Sequence, residues 1–330
     1  MFFTPVIAIN TYTSLDILNW KKTNVVSLYI KIQNNVATYE KLIQKNHSSI
    51  FIERLHAIQN MIDDTLKIYK INDLEIICNV MDNPINNPYF LHFNYTSDCK
   101  VNTIPNFSFY NWSDAKSSDF FVTKQNILDN SVIWENKENK VMWSGIASSD
   151  IRKKLNILKD DNFYFYNLIN NYNNNHVYVD LIDHTKYKYL LDMEGVGYSG
   201  RFPFLALTGS CVILLENEDT SKDYKLYYDS FFIENIHYLK VKYSNLDTPE
   251  QIDAKIKDAI SKNDCKKIGE TCQQFSTDFF TKENILLYMS EILNYYSTYY
   301  DPITDIQLHL NYTNKKNITK KILNYLHYSK

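Results

Sequence analysis

The chain has 330 residues, more than the roughly 250–300 at which a single hydrophobic core usually stops growing, so two domains are expected. Apolar residues make up 45% of it, and the net charge of −3 argues against a dedicated nucleic-acid-binding protein, which carries a basic excess. No apolar run approaches ~18 residues, so the sequence predicts no membrane span. Five scattered cysteines and an opening segment without a basic start predict a cytoplasmic protein without a disulfide framework.

The first 75 residues are predicted to be mostly helical, with long periodic stretches over 35–70 and little Gly or Pro. A short buried strand is predicted at 74–80, and the Asn- and Pro-rich stretch 81–88 after it has the composition of a loop. A second strand at 140–143 leads into a helix.

The rest of the chain alternates predicted strands with predicted helices. Strands are expected at 177–182, 187–193 and 211–216, with a short helix at 202–207 between the last two. From residue 249 onward helices dominate, at 250–262, 283–299 and 315–328. This alternation predicts an α/β fold with parallel sheets.

Glycine and arginine are both scarce, and they occur together at one place. The chain holds 6 Gly, where an average content of about 7% would give roughly 23, and four of them are Gly195, Gly197, Gly200 and Gly209. Such a cluster indicates backbone that cannot carry a Cβ, because of a positive φ or a close approach to a ligand. Arg201, one of three arginines in the sequence, follows directly and offers a planar fork for two phosphate oxygens. The pattern favours an anion site over a tight turn beside a surface arginine.

Residues 195–200 read GVGYSG, which matches the G-x-G-x-x-G fingerprint of dinucleotide-binding units. The motif follows a predicted strand, opens a predicted helix and has Glu216 about 20 residues further on, as that fingerprint requires. A nicotinamide-dependent oxidoreductase is therefore one hypothesis. A nucleotide-sugar diphosphate is the other, because Arg201 and the Ser/Arg element at 144–152 suit a charged leaving group.

Two other chemistries fit the sequence poorly. Ser199 is followed directly by Gly200, so the G-x-S-x-G motif of serine hydrolases is not met. Asp180 and Asp183 are spaced D-x-x-D, whereas metal-dependent sugar transferases hold a cation with D-x-D. The sequence therefore predicts neither a catalytic serine nor a metal site.

Residues 179–202 resemble the core motif of glycosyltransferase family 90, which includes animal protein O-glucosyltransferases and fungal capsule-associated transferases. The sequence DHTKYKY at 183–189 is similar to the animal element D-H-C-K-Y-K-Y, and EGVGYSGRF at 194–202 to the fungal element D-G-x-G-W-S-G-R-F. Segments 143–152 and 232–242 also resemble family elements.

The resemblance implies a GT-B-like α/β fold, in which two Rossmann-like domains face each other across a cleft. Residues 1–138 would form an acceptor-side domain, 139–300 a UDP-sugar-binding domain, and 301–330 a helical tail packing back on the first domain. It also implies an inverting, metal-independent transfer of a sugar, glucose or xylose, from a UDP-sugar to a hydroxyl of a glycan or protein. The UDP-sugar is a donor substrate, and no cofactor is expected.

The same resemblance assigns residues to the donor. Two arginines would bind the diphosphate, and they are Arg152 and Arg201. A backbone loop would surround the phosphates; its residues are Gly195, Val196, Gly197, Tyr198, Ser199 and Gly200. His184 and Lys186 would line the nucleotide pocket, although His184 could equally be a turn residue between two strands.

The family's catalytic base is an Asp in the context N-V-R-D-x-P, which resembles NVMDNP at 79–84. Asp82 would therefore take the proton from the acceptor hydroxyl as the new C–O bond forms. The alternative role of Asp82 is that of a turn residue before Asn83 and Pro84.

The sequence departs from the family pattern at several positions. Ala147 stands where the upstream element has an Arg, Ile146 where it has a small polar donor, and Glu194 where the fungal element has Asp. A non-catalytic relative that binds sugar nucleotide or glycan is thus a third hypothesis, beside the transferase and the oxidoreductase.

Overall fold

The computed structural model describes residues 5, 8–21, 26–43, 49–87, 89–155, 163–167, 179–195, 197–219 and 224–301. The strands of these ranges are β1 (Tyr12–Thr13), β2 (Ser27–Gln33), β3 (Val36–Leu42), β4 (Leu74–Asn79), β5 (Phe90–Leu91), β6 (Asn94–Tyr95), β7 (Glu138–Gly145), β8 (Phe163–Asn167), β9 (Tyr187–Met193), β10 (Cys211–Asn217), β11 (Lys225–Leu226), β12 (Leu239–Tyr243) and β13 (Tyr300–Asp301). The α-helices are α1 (Ser14–Trp20), α2 (Ser49–Ile68), α3 (Phe120–Asp129), α4 (Asp150–Leu155), α5 (Phe202–Leu205), α6 (Pro249–Ser261), α7 (Cys265–Phe279) and α8 (Lys282–Ser297).

The predicted α/β class is confirmed, and the larger of the two main sheets is entirely parallel. Its five strands lie in the order β12-β10-β9-β7-β8. Read from β8, the chain order of these strands is second, first, third, fourth, fifth, which is the order of flavodoxin-like doubly wound sheets. The order reverses between β7 and β9, so the carboxyl ends of these two strands form the topological switch point.

The first sheet is mixed, and it contradicts the prediction of a mostly helical start. Its order is β3-β2-β4-β5, with β2 antiparallel to both β3 and β4. Asn34 and Asn35, both at positive φ, form a two-residue hairpin turn between β2 and β3. The periodic stretch at 35–70 therefore divides into a strand and then α2, and only its second part is helical as predicted.

The predicted strands at 74–80, 140–143, 187–193 and 211–216 are confirmed, as are the helices at 202–207, 250–262 and 283–299. The predicted strand at 177–182 is wrong for its described part, because Asp180 forms a turn. Asp180 Oδ1 accepts from Ile182 N (3.2 Å), and a 3₁₀ helix, Ile182–Lys186, follows. The predicted helix at 315–328 lies outside the described residues.

Alternate residues of the parallel strands serve two different cores. On β9 and β10, Leu190 and Val212 belong to a large core that also contains Leu28 and the buried face of α8. Leu191 and Ile213 face the opposite way, into a smaller core closed by α4, α6 and α7. The parallel sheet is thus covered on both faces, which is why β10 begins with a continuous apolar run over residues 211–215.

The last described elements return to the first half of the chain. On α8, Tyr288 Oη donates to Thr103 O (3.0 Å), and Asn294 Nδ2 donates to Lys70 O (3.2 Å). β13 pairs in parallel with β1. The two-domain boundaries at 138 and 300 and the GT-B arrangement stay predictions, and nearly all of the tail at 301–330 lies outside the described residues.

Candidate functional site

The loop with the clustered glycines leaves the carboxyl end of β9 and enters α5. It lies at the switch point between β7 and β9, where open α/β sheets bind their ligands. Gly195 N donates to Gly197 O (3.0 Å), which makes the loop tight. Val196 lies outside the described residues.

Arg152 and Arg201, the two residues predicted to bind a diphosphate, lie close together at this loop. Both guanidiniums lie near the ring of Trp143, with Cζ 5.4 Å and 5.3 Å from its centroid. Arg152 Nη2 donates to Met193 O (2.7 Å) and Nη1 to Ile146 O (3.2 Å), while Arg201 Nη1 donates to Ser144 O. Hydrogen bonds to backbone carbonyl oxygens therefore hold both guanidiniums at the carboxyl ends of β7 and β9.

Arg152 is a partly buried cation. Burial lowers its pKa to about 9, the charge of Arg201 adds to the shift, and the charges of Asp192 and Glu194 oppose it. Its described hydrogen bonds go to neutral carbonyls, and its buried Nε has no hydrogen-bond partner in the part of the chain that is described. Because a buried donor without an acceptor is costly, an anion at this position would be stabilised.

Asp192, a buried residue of β9, connects the loop to Arg201. Its Oδ1 accepts from Ser199 Oγ (2.5 Å) and lies 3.5 Å from Arg201 Nη2. Ser199 Oγ in turn accepts from Arg201 N (3.4 Å). This network fixes the conformation of Ser199 and Arg201 before any ligand binds.

Asp82 lies at the other side of the same loop, just after the carboxyl end of β4. An ideal Cβ on Gly197 would lie 2.6 Å from Asp82 O, so the loop and the segment after β4 are in direct contact. Asp82 O accepts from Asn94 Nδ2 (3.0 Å), and Oδ1 accepts from Arg54 Nη1 (2.8 Å). The Asp82 side chain is 38% exposed, so it remains accessible to a substrate.

His184 and Lys186, the two residues predicted to line a nucleotide pocket, have different surroundings. The His184 ring is buried, with Nε2 3.1 Å from Ser144 Oγ and Nδ1 3.0 Å from Asp180 O. Burial lowers the pKa of His184 to about 4, so the ring is neutral near pH 7. Lys186 is exposed, pairs with Asp183 (2.6 Å) and precedes β9, at the end of that strand opposite the glycine loop. The structure therefore brings His184 beneath the site and does not bring Lys186 to it.

A cavity of about 360 Å³ opens beside the loop, over the carboxyl ends of β9 and β10. Asp192, Tyr198 and Ser199 contribute to its wall, and aromatic residues of the segment 224–232 form much of the remainder. An ion pair, Glu216 Oε2 to Lys240 Nζ (2.6 Å), closes one side. The volume is that of small-molecule sites, and the lining combines aromatic rings with charged side chains.

Sequence reasoning did not find Arg54, Asp192 or the aromatic wall of this cavity. One signal for Arg54 was available, because all three arginines of the sequence lie at this site. Asp192 and the 224–232 segment carried no comparable signal, since an Asp inside a strand and scattered aromatic residues are ordinary features of a core.

Within the described ranges, no group of three or more His, Cys, Asp or Glu side chains is placed to hold a metal ion. No helix of those ranges is both long and apolar enough to cross a bilayer. All five cysteines are free thiols.

Fold and site together define an α/β protein with a candidate anion site at the switch point of a parallel sheet. Residues 16–319 match the model of glycosyl transferase family 90, and the chain belongs to this family.

Curated relatives match shorter segments. Protein O-glucosyltransferase 1 of Rattus norvegicus is 31% identical over 126 residues, which is 37% of this chain and 29% of the relative. The Homo sapiens protein of the same name is 30% identical over 126 residues, which is again 37% of this chain and 29% of the relative. Protein O-glucosyltransferase 2 of Danio rerio is 27% identical over 180 residues, 50% of this chain and 34% of the relative. The matches therefore span about a third of the relatives' length.

Proposed function

We propose that this chain is an inverting glycosyltransferase that moves a sugar, glucose or xylose, from a UDP-sugar to a hydroxyl of a glycan or protein. The observation that carries the proposal is the contact between the glycine loop and Asp82, with Arg152 and Arg201 at the loop's other side. The carboxylate of Asp82, which would act on the acceptor, therefore lies on one side of the loop. The two guanidiniums, which would act on the leaving group, lie on the other side. Family membership and the names of the curated relatives support the same reaction class.

Asp82 is proposed as the base. It removes the acceptor's hydroxyl proton while the acceptor oxygen attacks the anomeric carbon from the face opposite UDP, and the bond from that carbon to the phosphate oxygen breaks. The electron pair of that bond leaves with UDP, and the anomeric configuration inverts.

Arg152 and Arg201 are proposed to stabilise the charge that UDP gains as it leaves, in the role that a metal ion plays elsewhere. Both are already fixed by carbonyl oxygens, so no reorganisation is needed when the charge develops. The cavity beside the loop would hold the uridine. The two main sheets would then be the two halves of a GT-B fold, with the donor bound at the parallel one.

The oxidoreductase hypothesis fits this geometry less well. The dinucleotide fingerprint belongs to the first strand of its unit, whereas this loop follows β9, the third strand of the parallel sheet. Glu216, the candidate ribose ligand, is already paired with Lys240.

A thermal-shift series with UDP, UDP-glucose, UDP-xylose and NAD tests the donor, and UDP release from each UDP-sugar tests the chemistry. The uridine nucleotides are expected to raise the Tm and NAD is not. Binding of UDP without any UDP release would identify the non-catalytic relative, and stabilisation by NAD alone would contradict the proposal.

Variants test the assigned roles. Asp82→Asn should lower turnover by about 10²–10⁴-fold and leave the Kd for UDP nearly unchanged. Arg152→Lys keeps the charge and loses the planar fork, so UDP affinity should fall about tenfold. Lys153→Ala is the matched control, because that side chain is exposed on α4 beside Arg152 and should change neither quantity.

A further inference from the structure

Arg54 of α2 is a buried cation whose role the sequence did not indicate. The residue is 8% exposed, and its guanidinium carbon lies 4.5 Å from the ring centroid of Phe107 and 5.2 Å from that of Phe51. Nη1 donates both to Val80 O (3.0 Å) and to Asp82 Oδ1 (2.8 Å). One nitrogen thus joins the backbone before Asp82 to the Asp82 carboxylate.

The two carboxylate oxygens of Asp82 differ in their hydrogen bonding. Oδ1 is held by Arg54, whereas Oδ2 has no hydrogen bond to any residue that the structure describes. Because the side chain is 38% exposed, Oδ2 is the oxygen that an incoming hydroxyl can reach. The aromatic rings around Arg54 fix the plane of its guanidinium, and through Oδ1 they fix the rotation of the carboxylate.

We propose that Arg54 is the positioning residue of the reaction: it holds Oδ1 of Asp82 so that Oδ2 accepts the acceptor's proton. The inference rests on the proposed function and deepens it. The contact fixes the position of one carboxylate oxygen, so its contribution is orientation. Orientation is valuable because a misplacement of about 1 Å can cost about 100-fold in rate.

Three variants and UDP-sugar hydrolysis, with water as the acceptor, test the assignment. Arg54→Met should lower kcat for UDP release by about 10- to 100-fold, while the KM for the UDP-sugar and the Kd for UDP stay within about twofold of the unchanged chain. Arg54→Lys should recover part of the kcat, because an ammonium can reach Oδ1 and cannot fix its rotation. Lys67→Met, on the same helix and 72% exposed, is the control and should change nothing.

A structural role alone would lower the Tm and leave kcat of the folded fraction unchanged. If Arg54→Met folds and its kcat is undiminished, the assignment is overturned. If Arg54→Met does not fold, an undiminished kcat of Arg54→Lys overturns the assignment instead. Adding Arg54→Met to Asp82→Asn should not lower kcat further, since Arg54 acts through Asp82. If the double variant loses as much additional kcat as Arg54→Met loses alone, the positioning role is contradicted. Failure of the unchanged chain to bind UDP would instead overturn the proposed function.

Discussion

Two of the clustered glycines pack closely against the protein's own groups. Of the four, Gly209 alone has a left-handed φ, of +70°. A Cβ on Gly195 would lie 3.3 Å from Arg152 Nη1, and one on Gly197 would lie 2.6 Å from Asp82 O, whereas one on Gly200 would make only ordinary contacts. The prediction that these positions cannot carry a Cβ therefore holds for Gly197 and is wrong for Gly200. Sequence reasoning could not identify the neighbours, because Arg152 and Asp82 are 43 or more residues away in the chain.

Gly197→Ala tests this contact. Because the added methyl meets the backbone oxygen of Asp82, we expect the free energy of unfolding to fall by about 1–3 kcal/mol and UDP-sugar turnover to fall with it. Gly200→Ala is the matched control in the same loop: its nearest atom would be 3.5 Å away, and its stability should be unchanged or slightly higher. Urea unfolding of both variants measures the difference, and equal stabilities would refute the close approach.

Tyr198→Phe tests a buried hydroxyl of the cavity wall. Tyr198 Oη has no hydrogen-bond partner among the described residues, so its removal should leave the free energy of unfolding unchanged or raise it. Tyr288→Phe is the contrast, because Tyr288 Oη donates to Thr103 O at 3.0 Å and its loss should cost about 1 kcal/mol. A clear destabilisation by Tyr198→Phe would contradict the unpartnered state of its hydroxyl.

Among the elements, apolar runs predicted three strands of the parallel sheet, β7, β9 and β10, and missed β8, β12 and the hairpin of the first sheet. β9 and β10 are covered on both faces, so their composition alone identifies them. β3 is half-exposed, and its mixture of polar and apolar residues also fits an amphipathic helix. Its identity is decided by pairing with β2, a non-local contact that a single-sequence pattern does not contain.

Lys137, which directly precedes β7, forms hydrogen bonds to two neighbouring segments, one at residue 185 and one at residues 208–210. Its buried Nζ donates to Thr185 O (2.6 Å), Thr208 O (2.9 Å) and Ser210 Oγ (3.2 Å), and burial lowers its pKa to about 8. Lys137→Met would remove three buried hydrogen bonds, so we expect a loss of about 3 kcal/mol in the free energy of unfolding.

Lys153→Met provides the comparison for Lys137→Met. Its side chain is 62% exposed and pairs with Asp150 at 3.4 Å, so the change should stay within about 0.5 kcal/mol. Equal effects of the two substitutions in chemical unfolding would show that the Lys137 contacts do not stabilise the fold.

For the molecule as a whole, three buried imidazoles of the described residues, His92, His184 and His237, make stability sensitive to acid, because burial lowers the pKa of each. Burial lowers the pKa values of His92 and His184 to about 4, from 6.5. Between these values the unfolded chain binds more protons than the folded one, so the free energy of unfolding falls as the pH falls. From pH 6.5 to pH 5 the expected loss is roughly 1–2 kcal/mol for each of His92 and His184.

Urea unfolding at these two pH values measures the loss. His92→Asn removes one titrating group, and its amide can replace Nδ1 at Asn94, so the pH dependence should become clearly less steep while the contributions of His184 and His237 remain. A free energy of unfolding that does not change between pH 6.5 and pH 5 would contradict the buried neutral rings.

Composition, periodicity and consecutive residues were enough to predict the α/β class, the strands next to the site, the glycine loop followed by Arg201, and the family. These features are local in the chain. The contact of Arg54 with Asp82, the contact of Asp82 with Gly197 and the position of Lys186 away from the site follow from the folded structure alone. The order of strands in the sheet brings these residues together or separates them, because it joins residues that are distant along the chain.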